Sequence, residues 1–134
     1  MQKDISDTNG KVFLYKDEGY NLLGACFSVY KEMGNGYLES VYQECLAIEF
    51  ENLGIPFIQK PSLQIKFRDV PISQHYIPDF VCYDKIIVEL KSVSKICDEH
   101  RSQLFNYLKI TGFKVGYIIN FGHYPLLEHE RFTR

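Results

Sequence analysis

The sequence predicts a mixed β-sheet with helices on its faces, an α/β (α+β) fold built in the order α-α-β-β-β-α-β. Three observations carry this. Two stretches in the first third of the chain repeat apolar residues at helical spacing. The middle of the chain then changes to strand periodicity. A third helical stretch stands between two strongly apolar strands, where a crossover helix belongs.

Each element has its own signal. Residues 1–16 open on the polar MQKDISDTNG and pass into KVFLY, and are expected to form an N-terminal tail or short strand. From Asp17 to Met33, the residues Tyr20, Leu23, Ala25 to Phe27 and Tyr30 suit one face of a helix. Gly34-Asn35-Gly36 breaks it, with Asn35 placed to cap the next helix. That second helix spans Tyr37 to Leu53 on Leu38, Val41, Tyr42, Cys45, Ile48 and Leu53, and Gly54 and Pro56 stop it. Leu63, Ile65 and Phe67 alternate with polar residues as in a half-buried strand, and Asp79–Tyr83 and Ile86–Lys91 are two more strands. Ile96–Thr111 returns to helical spacing on Leu104, Leu108 and Ile110, and Gly112 ends it. Lys114–Phe121 reads as a central strand, with a short final strand near Arg131. There is no repeat, low-complexity tract or linker, so residues 17–134 are expected to form a single domain.

Composition excludes several classes. At 134 residues, 46% hydrophobic and 24% charged, the chain is that of an ordinary globular domain. No apolar run approaches the ~18 residues of a membrane span, and the first residues lack the apolar core of a signal peptide, so a cytoplasmic protein is expected. The cysteines Cys26, Cys45, Cys82 and Cys97 form no CxxC pair and are expected as reduced, partly buried thiols. Cys97 and His100 could share a helix face, but two ligands do not make a structural zinc site. The net charge of −2 means that contact with nucleic acid must come from a local patch, from bound metal, or from an oligomer or partner.

One constellation carries chemistry: Pro78-Asp79, then nine residues, then Glu89-Leu90-Lys91. Strand side chains alternate, so Glu89 and Lys91 share one face while Ile86, Val88 and Leu90 form the apolar other. An isolated E-x-K on a strand is most often an ion pair. Asp79 on the preceding strand changes the weighing. Two carboxylates can hold a hard cation that activates water, and a lysine can orient that water or stabilise the developing charge. The geometry has a condition. Asp79 stands opposite Glu89 only if Cys82 faces Ile86 across the three-residue loop Tyr83-Asp84-Lys85, or if a bulge intervenes near Pro78.

Further motifs surround this core. Gly36 to Tyr42 reads G-x-x-E-x-x-Y around Glu39, Gln103 to Tyr107 reads Q-x-x-x-Y, and Asn120-Phe121-Gly122 closes the last core strand. Gln103 and Tyr107 are four apart and share a helix face that His100 extends. Taken in order with Pro78-Asp79 and Glu89-Leu90-Lys91, these motifs resemble the GxxExxY proteins, a small family of the PD-(D/E)XK nuclease superfamily, from about Asp17 to Arg131. The resemblance implies an α-β-β-β-α-β nuclease core and a Mg²⁺- or Mn²⁺-dependent nuclease, with DNA favoured over RNA. It implies Glu39, Asp79 and Glu89 as metal ligands, with Glu39 acting directly or through a metal-bound water. It implies Asp79, Glu89, Lys91, Gln103 and Tyr107 as catalytic residues. The chain departs from the family at Tyr30, where members commonly have histidine, and at Ile77-Pro78, where they often have Arg-Ala. Against this stands a non-catalytic module that keeps the fold and binds nucleic acid or protein, as a homodimer or with another partner. The acidic balance favours the module; the intact Asp79, Glu89 and Lys91 favour the enzyme.

Overall fold

The computed structural model describes residues 5–6 and 12–134. Of the expected N-terminal tail, residues 1–4 and 7–11 lie outside the described residues. Within it, β1 (Ile5–Ser6) pairs antiparallel with β2 (Val12–Phe13).

Helix α1 (Lys16–Met33) carries Asp17 and Glu18 in its first turn and Lys31 in its last, which suits the helix dipole at both ends. Gly34, at φ 72°, ends it by donating its N–H to the Tyr30 carbonyl. The buried face is Gly19, Leu22, Ala25, Cys26 and Val29. Tyr20 is 79% exposed, so the expected apolar face is rotated: the large aromatics lie at its margin and smaller residues fill its centre. Helix α2 (Glu39–Asn52) begins after Leu38, not after Asn35. Asn35 makes no cap, and Leu38 holds the N-cap position with extended backbone and no side-chain bond. Gly36, at φ 107°, swings the chain between the two helices.

Strands β3 (Phe57–Gln59), β6 (Phe80–Cys82), β7 (Ile86–Lys91), β8 (Val115–Asn120) and β9 (Glu128–Thr133) form one sheet in the order β3-β6-β7-β8-β9. All neighbours are antiparallel except β7 and β8, which run parallel because α3 (Asp98–Thr111) crosses over between them. Strands β4 (Leu63–Phe67) and β5 (Val70–Tyr76) stand apart as a two-stranded ribbon. The fold is therefore a mixed α/β sheet flanked by helices, with the predicted central order intact. Beyond that order, among the described residues, stand the final strand β9, expected near Arg131, and four others: β1, β2, β3 and β5. The first two lie in the segment expected as tail or short strand, β3 is only three residues long, and β5 contains Pro71 and is exposed at every residue but Tyr76.

The sheet is buried on both faces. Tyr42, Leu46 and Phe50 of α2 and Leu22, Ala25 and Val29 of α1 pack with Phe80, Val88 and Leu90 on one side. On the other, Leu104 and Leu108 of α3 pack with Ile65, Val81, Ile87 and Ile118. Strand β8 is buried throughout, as a central strand should be. In β7 only Glu89 and Lys91 escape full burial. Among the described residues no helix is long and apolar enough to cross a membrane. The cysteines are all free, with Cys26 and Cys82 buried and Cys45 partly so. Cys97 is exposed, contrary to the expected burial, because it sits at the N-cap of α3, where its N–H donates to His100 Nδ1 at 3.3 Å.

Candidate active site

The site is made by the end of the β6–β7 hairpin. Tyr83 and Asp84 both have positive φ, 56° and 59°, and the Lys85 N–H donates to the Cys82 carbonyl, closing a turn of the I′ kind. Cys82 faces Ile86, so the loop has three residues, and Phe80 faces Val88. One further step along this register sets Asp79 opposite Glu89. Here the side chains take over from the backbone ladder. The Asp79 N–H donates to Glu89 Oε1 at 2.9 Å, and the Leu90 N–H donates to Asp79 Oδ2 at 2.8 Å. The two carboxylates thus lie at one end of the hairpin, each fastened to the other strand.

Their second oxygens are also engaged. Lys60 Nζ lies 3.1 Å from Asp79 Oδ1, and the Lys60 N–H donates to the Asp79 carbonyl. The Tyr76 hydroxyl donates to Glu89 Oε2 at 2.9 Å. Burial pushes the Glu89 carboxyl up to about 7, helped by the Asp79 charge and opposed by the bonds from Asp79 N–H and Tyr76 and by the Lys91 charge. The Tyr76 hydroxyl is pushed well above its ordinary value, first by burial and then by Glu89. Lys91 is half-buried two residues along the same strand face; its carbonyl accepts from the Phe121 N–H, and its ammonium makes no hydrogen bond or ion pair among the described residues.

Other residues, those predicted among them, stand around this pair at different ranges. Gln43 of α2 donates to the Asp79 carbonyl at 3.0 Å and to Gln59 Oε1 at 3.1 Å. Glu39 lies one helical turn before Gln43 on the same side of α2, at its exposed start. Among the described residues no group of three or more His, Cys, Asp or Glu stands together as a metal cage, so the expected trio with Glu39 is not assembled. The reason is local: the polar contact from α2 to Asp79 is made by Gln43, and Glu39 lies a turn before it. Tyr107 stacks flat on Tyr76, with ring centroids 3.8 Å apart, and is thereby one ring away from Glu89. Gln103 is exposed beside it, and with His100, Glu99 and Asn106 the two line an open cleft of about 490 Å³ on α3. Lys91 does not line this cleft.

Four neighbours of the site carry no signal in the sequence, Gln43, Lys60, Tyr76 and Glu128, the last of them paired with Asn120 of the Asn120-Phe121-Gly122 motif. Asn120 is fully buried. Its Oδ1 accepts from the N–H groups of Val93 and Gly122, and its Nδ2 donates to Glu128 Oε1. Glu128 also accepts from the Ile96 N–H. Burial would raise Glu128, but the bonds from Asn120 and Ile96 outweigh it and hold the carboxyl below its ordinary value. This clamp fixes the loop that leaves β7 directly after Lys91. Tyr30, which stands where GxxExxY proteins commonly have histidine, bonds the His123 carbonyl at 2.6 Å and so braces the turn after β8.

A half-buried carboxylate pair with one oxygen each tied to backbone N–H, and its charge countered by the Lys60 ammonium, is a donor set of hard oxygens suited to a cation. Such a pair suits Mg²⁺ or Mn²⁺, which are commonly held by one or two carboxylates with water and phosphate completing the shell. The chain matches the sequence profile of the PD-(D/E)XK nuclease superfamily over residues 16–132. The chain belongs to this superfamily. Membership implies a nuclease, a hydrolase whose substrate is nucleic acid, in a superfamily that typically uses divalent metals. No curated protein matches the chain closely enough to lend it a narrower activity.

Proposed function

We propose that the protein is a nuclease of the GxxExxY kind that hydrolyses phosphodiester bonds of DNA in preference to RNA, working in the cytoplasm as one catalytic unit over residues 17–134. The observation that carries this reading is the reciprocal seating of Asp79 and Glu89 across the hairpin end, with Lys91 uncommitted on the face of Glu89. Asp79 and Glu89 would hold Mg²⁺ or Mn²⁺ through the oxygens now facing Lys60 and Tyr76. The cation supplies an activated water and offsets phosphate charge. Lys91 stabilises the negative charge that develops on the phosphate and orients the attacking water. Tyr76 keeps Glu89 in place through its hydroxyl, and Tyr107 keeps Tyr76 in place by stacking. Glu39, at the start of α2, would accept a hydrogen bond from water of the cation's shell, and Gln103 would contact substrate along the α3 cleft.

The exposed position of Glu39 and the incomplete acid trio favour a second reading, a non-catalytic module that binds nucleic acid or protein. One comparison separates them. Wild type and Lys91→Ala are titrated with Mn²⁺ by calorimetry and tested on labelled duplex and single strand. The nuclease reading expects equal Mn²⁺ binding and a loss of turnover of ~10²–10³ in Lys91→Ala. Wild type that neither binds Mn²⁺ nor cleaves decides for the module.

A further inference from the structure

Apart from Tyr76, the β4–β5 ribbon is not used by the chemistry above, yet both of its ends are fastened to the site. At its root, Lys60 bonds Asp79; at its other end, Tyr76 bonds Glu89. Leu63, Ile65 and Tyr76 seat the base against the α3 side of the core. Beyond that base, every residue from Lys66 to His75 is exposed. Phe67 faces Val70 across a two-residue turn in which Arg68 and Asp69 have φ of 48° and 65°, again a type I′ hairpin end. The Arg68 guanidinium lies over the Phe67 ring, 5.1 Å from its centroid.

The ribbon's charge differs from that of the rest of the chain. Residues 63–76 hold Lys66 and Arg68 against Asp69 alone, which is 2 − 1 = +1. The whole chain is −2, so the remainder carries −3. A basic, protruding, two-stranded element on an acidic protein is placed to meet a polyanion. Two copies of it meeting each other would bring like charges together. The major groove of duplex DNA admits a two-stranded β-ribbon.

We propose that the β4–β5 ribbon is an arm that enters the groove of duplex DNA, with Lys66 and Arg68 on phosphates, and so positions the duplex over Asp79 and Glu89. This rests on the nuclease reading of that pair. The four steps from Leu63 to Phe67 span about 13 Å at strand rise. With phosphates about 3.4 Å apart along one strand, the tip reaches about four base pairs from the ribbon's base.

The test uses the full chain and the double variant Lys66→Ala/Arg68→Ala, whose side chains are exposed and whose fold is checked by melting. Duplex binding is followed by fluorescence anisotropy in Ca²⁺ across a salt series. Loss of two phosphate contacts should lower the slope of log K against log salt by about 1.8. Duplexes trimmed to fewer than about four base pairs beyond the cut should lose the difference between the two proteins. Hydrolysis of bis(p-nitrophenyl) phosphate with Mn²⁺, a diester too small to reach the ribbon, should be unchanged. Equal salt slopes overturn the proposal. So does an equal loss on single-stranded DNA, which would leave the groove no role, or a dimer in sedimentation that Phe67→Ser/Val70→Ser dissolves, which would assign the ribbon to a second copy. Failure of the wild type to hydrolyse the small diester strikes the nuclease reading itself, whereas the salt slope judges the ribbon independently.

Discussion

Metal binding should be linked to pH through Glu89. Burial first, and the Asp79 charge second, bring its carboxyl up to about 7, whereas a free glutamate sits near 4.5. A cation needs the ionised form, so binding must displace the proton. At pH 6, one pH unit below that value, about one molecule in eleven is ionised, and the apparent Mn²⁺ affinity should be about tenfold weaker than at pH 8, or ~1.4 kcal/mol. Calorimetry in two buffers of different ionisation enthalpy counts the protons. About 0.9 proton should leave per Mn²⁺ at pH 6 and about 0.1 at pH 8. The sign also fixes metal-free stability. A folded-state value above the unfolded one favours folding fully below 4.5, and that contribution is lost as pH rises through 7, to an extent of about 3 kcal/mol at most. Without metal the protein should therefore melt lower at pH 8 than at pH 5, and Mn²⁺ should restore more at pH 8. Equal affinity at pH 6 and pH 8 with no proton release would refute this linkage. Glu89→Gln supplies the control for the metal-free protein, whose melting point should lose this pH dependence.

Tyr76→Phe keeps the stack on Tyr107 but removes the donor to Glu89, a bond to a charged group that contributes about 1.5–3 kcal/mol; proton release on Mn²⁺ binding should then persist to higher pH, and an unchanged profile would deny that bond. Lys60→Ala removes the ammonium that competes with a cation for Asp79, and because Lys60 is largely exposed the gain in Mn²⁺ affinity should be modest, about two- to fivefold at low salt; weaker binding would show that Lys60 assists the cation. Gly122→Ala drives a side chain into the backbone of Ser92 and Val93, just past Lys91; a cost of about 1–3 kcal/mol should appear as a melting point lower by about 4–12 °C, with turnover falling further than stability explains.

The parts of the fold that are legible in sequence are those where periodicity and burial agree. Strand β7 reads out to the residue because Ile86, Ile87, Val88 and Leu90 are all buried. The three-residue loop follows from strand parity, which leaves few ways to put Asp79 opposite Glu89. Strand β5 gives no signal, since a ribbon exposed on nearly its whole length has no inside and outside to alternate. The phase of α1 is misleading in sequence because Tyr20 and Phe27 are apolar by composition yet sit at the rim. At the site, Lys60, Tyr76 and Gln43 are invisible for a different reason. Each meets Asp79 or Glu89 from 13 to 36 residues away, and only the ribbon's return path and the packing of α2 on the sheet bring them there.

The reciprocal bonds between Asp79 and Glu89 have a bearing on how this chain can change over time. Each carboxylate spends one oxygen continuing the β6–β7 ladder past Phe80 and Val88. A descendant that abandoned cleavage would still be selected for an oxygen at both positions, since alanine at either would leave a part-buried N–H without its acceptor, at a cost of about 1–3 kcal/mol. Asparagine and glutamine would satisfy that demand and hold the hairpin closed while surrendering the negative charge. The mark of lost activity in such a lineage would be amides at 79 and 89 and a freely drifting residue at 91, which the ladder does not need. Retained acids with a drifting 91 would instead mark a protein that still gathers cations but no longer cuts.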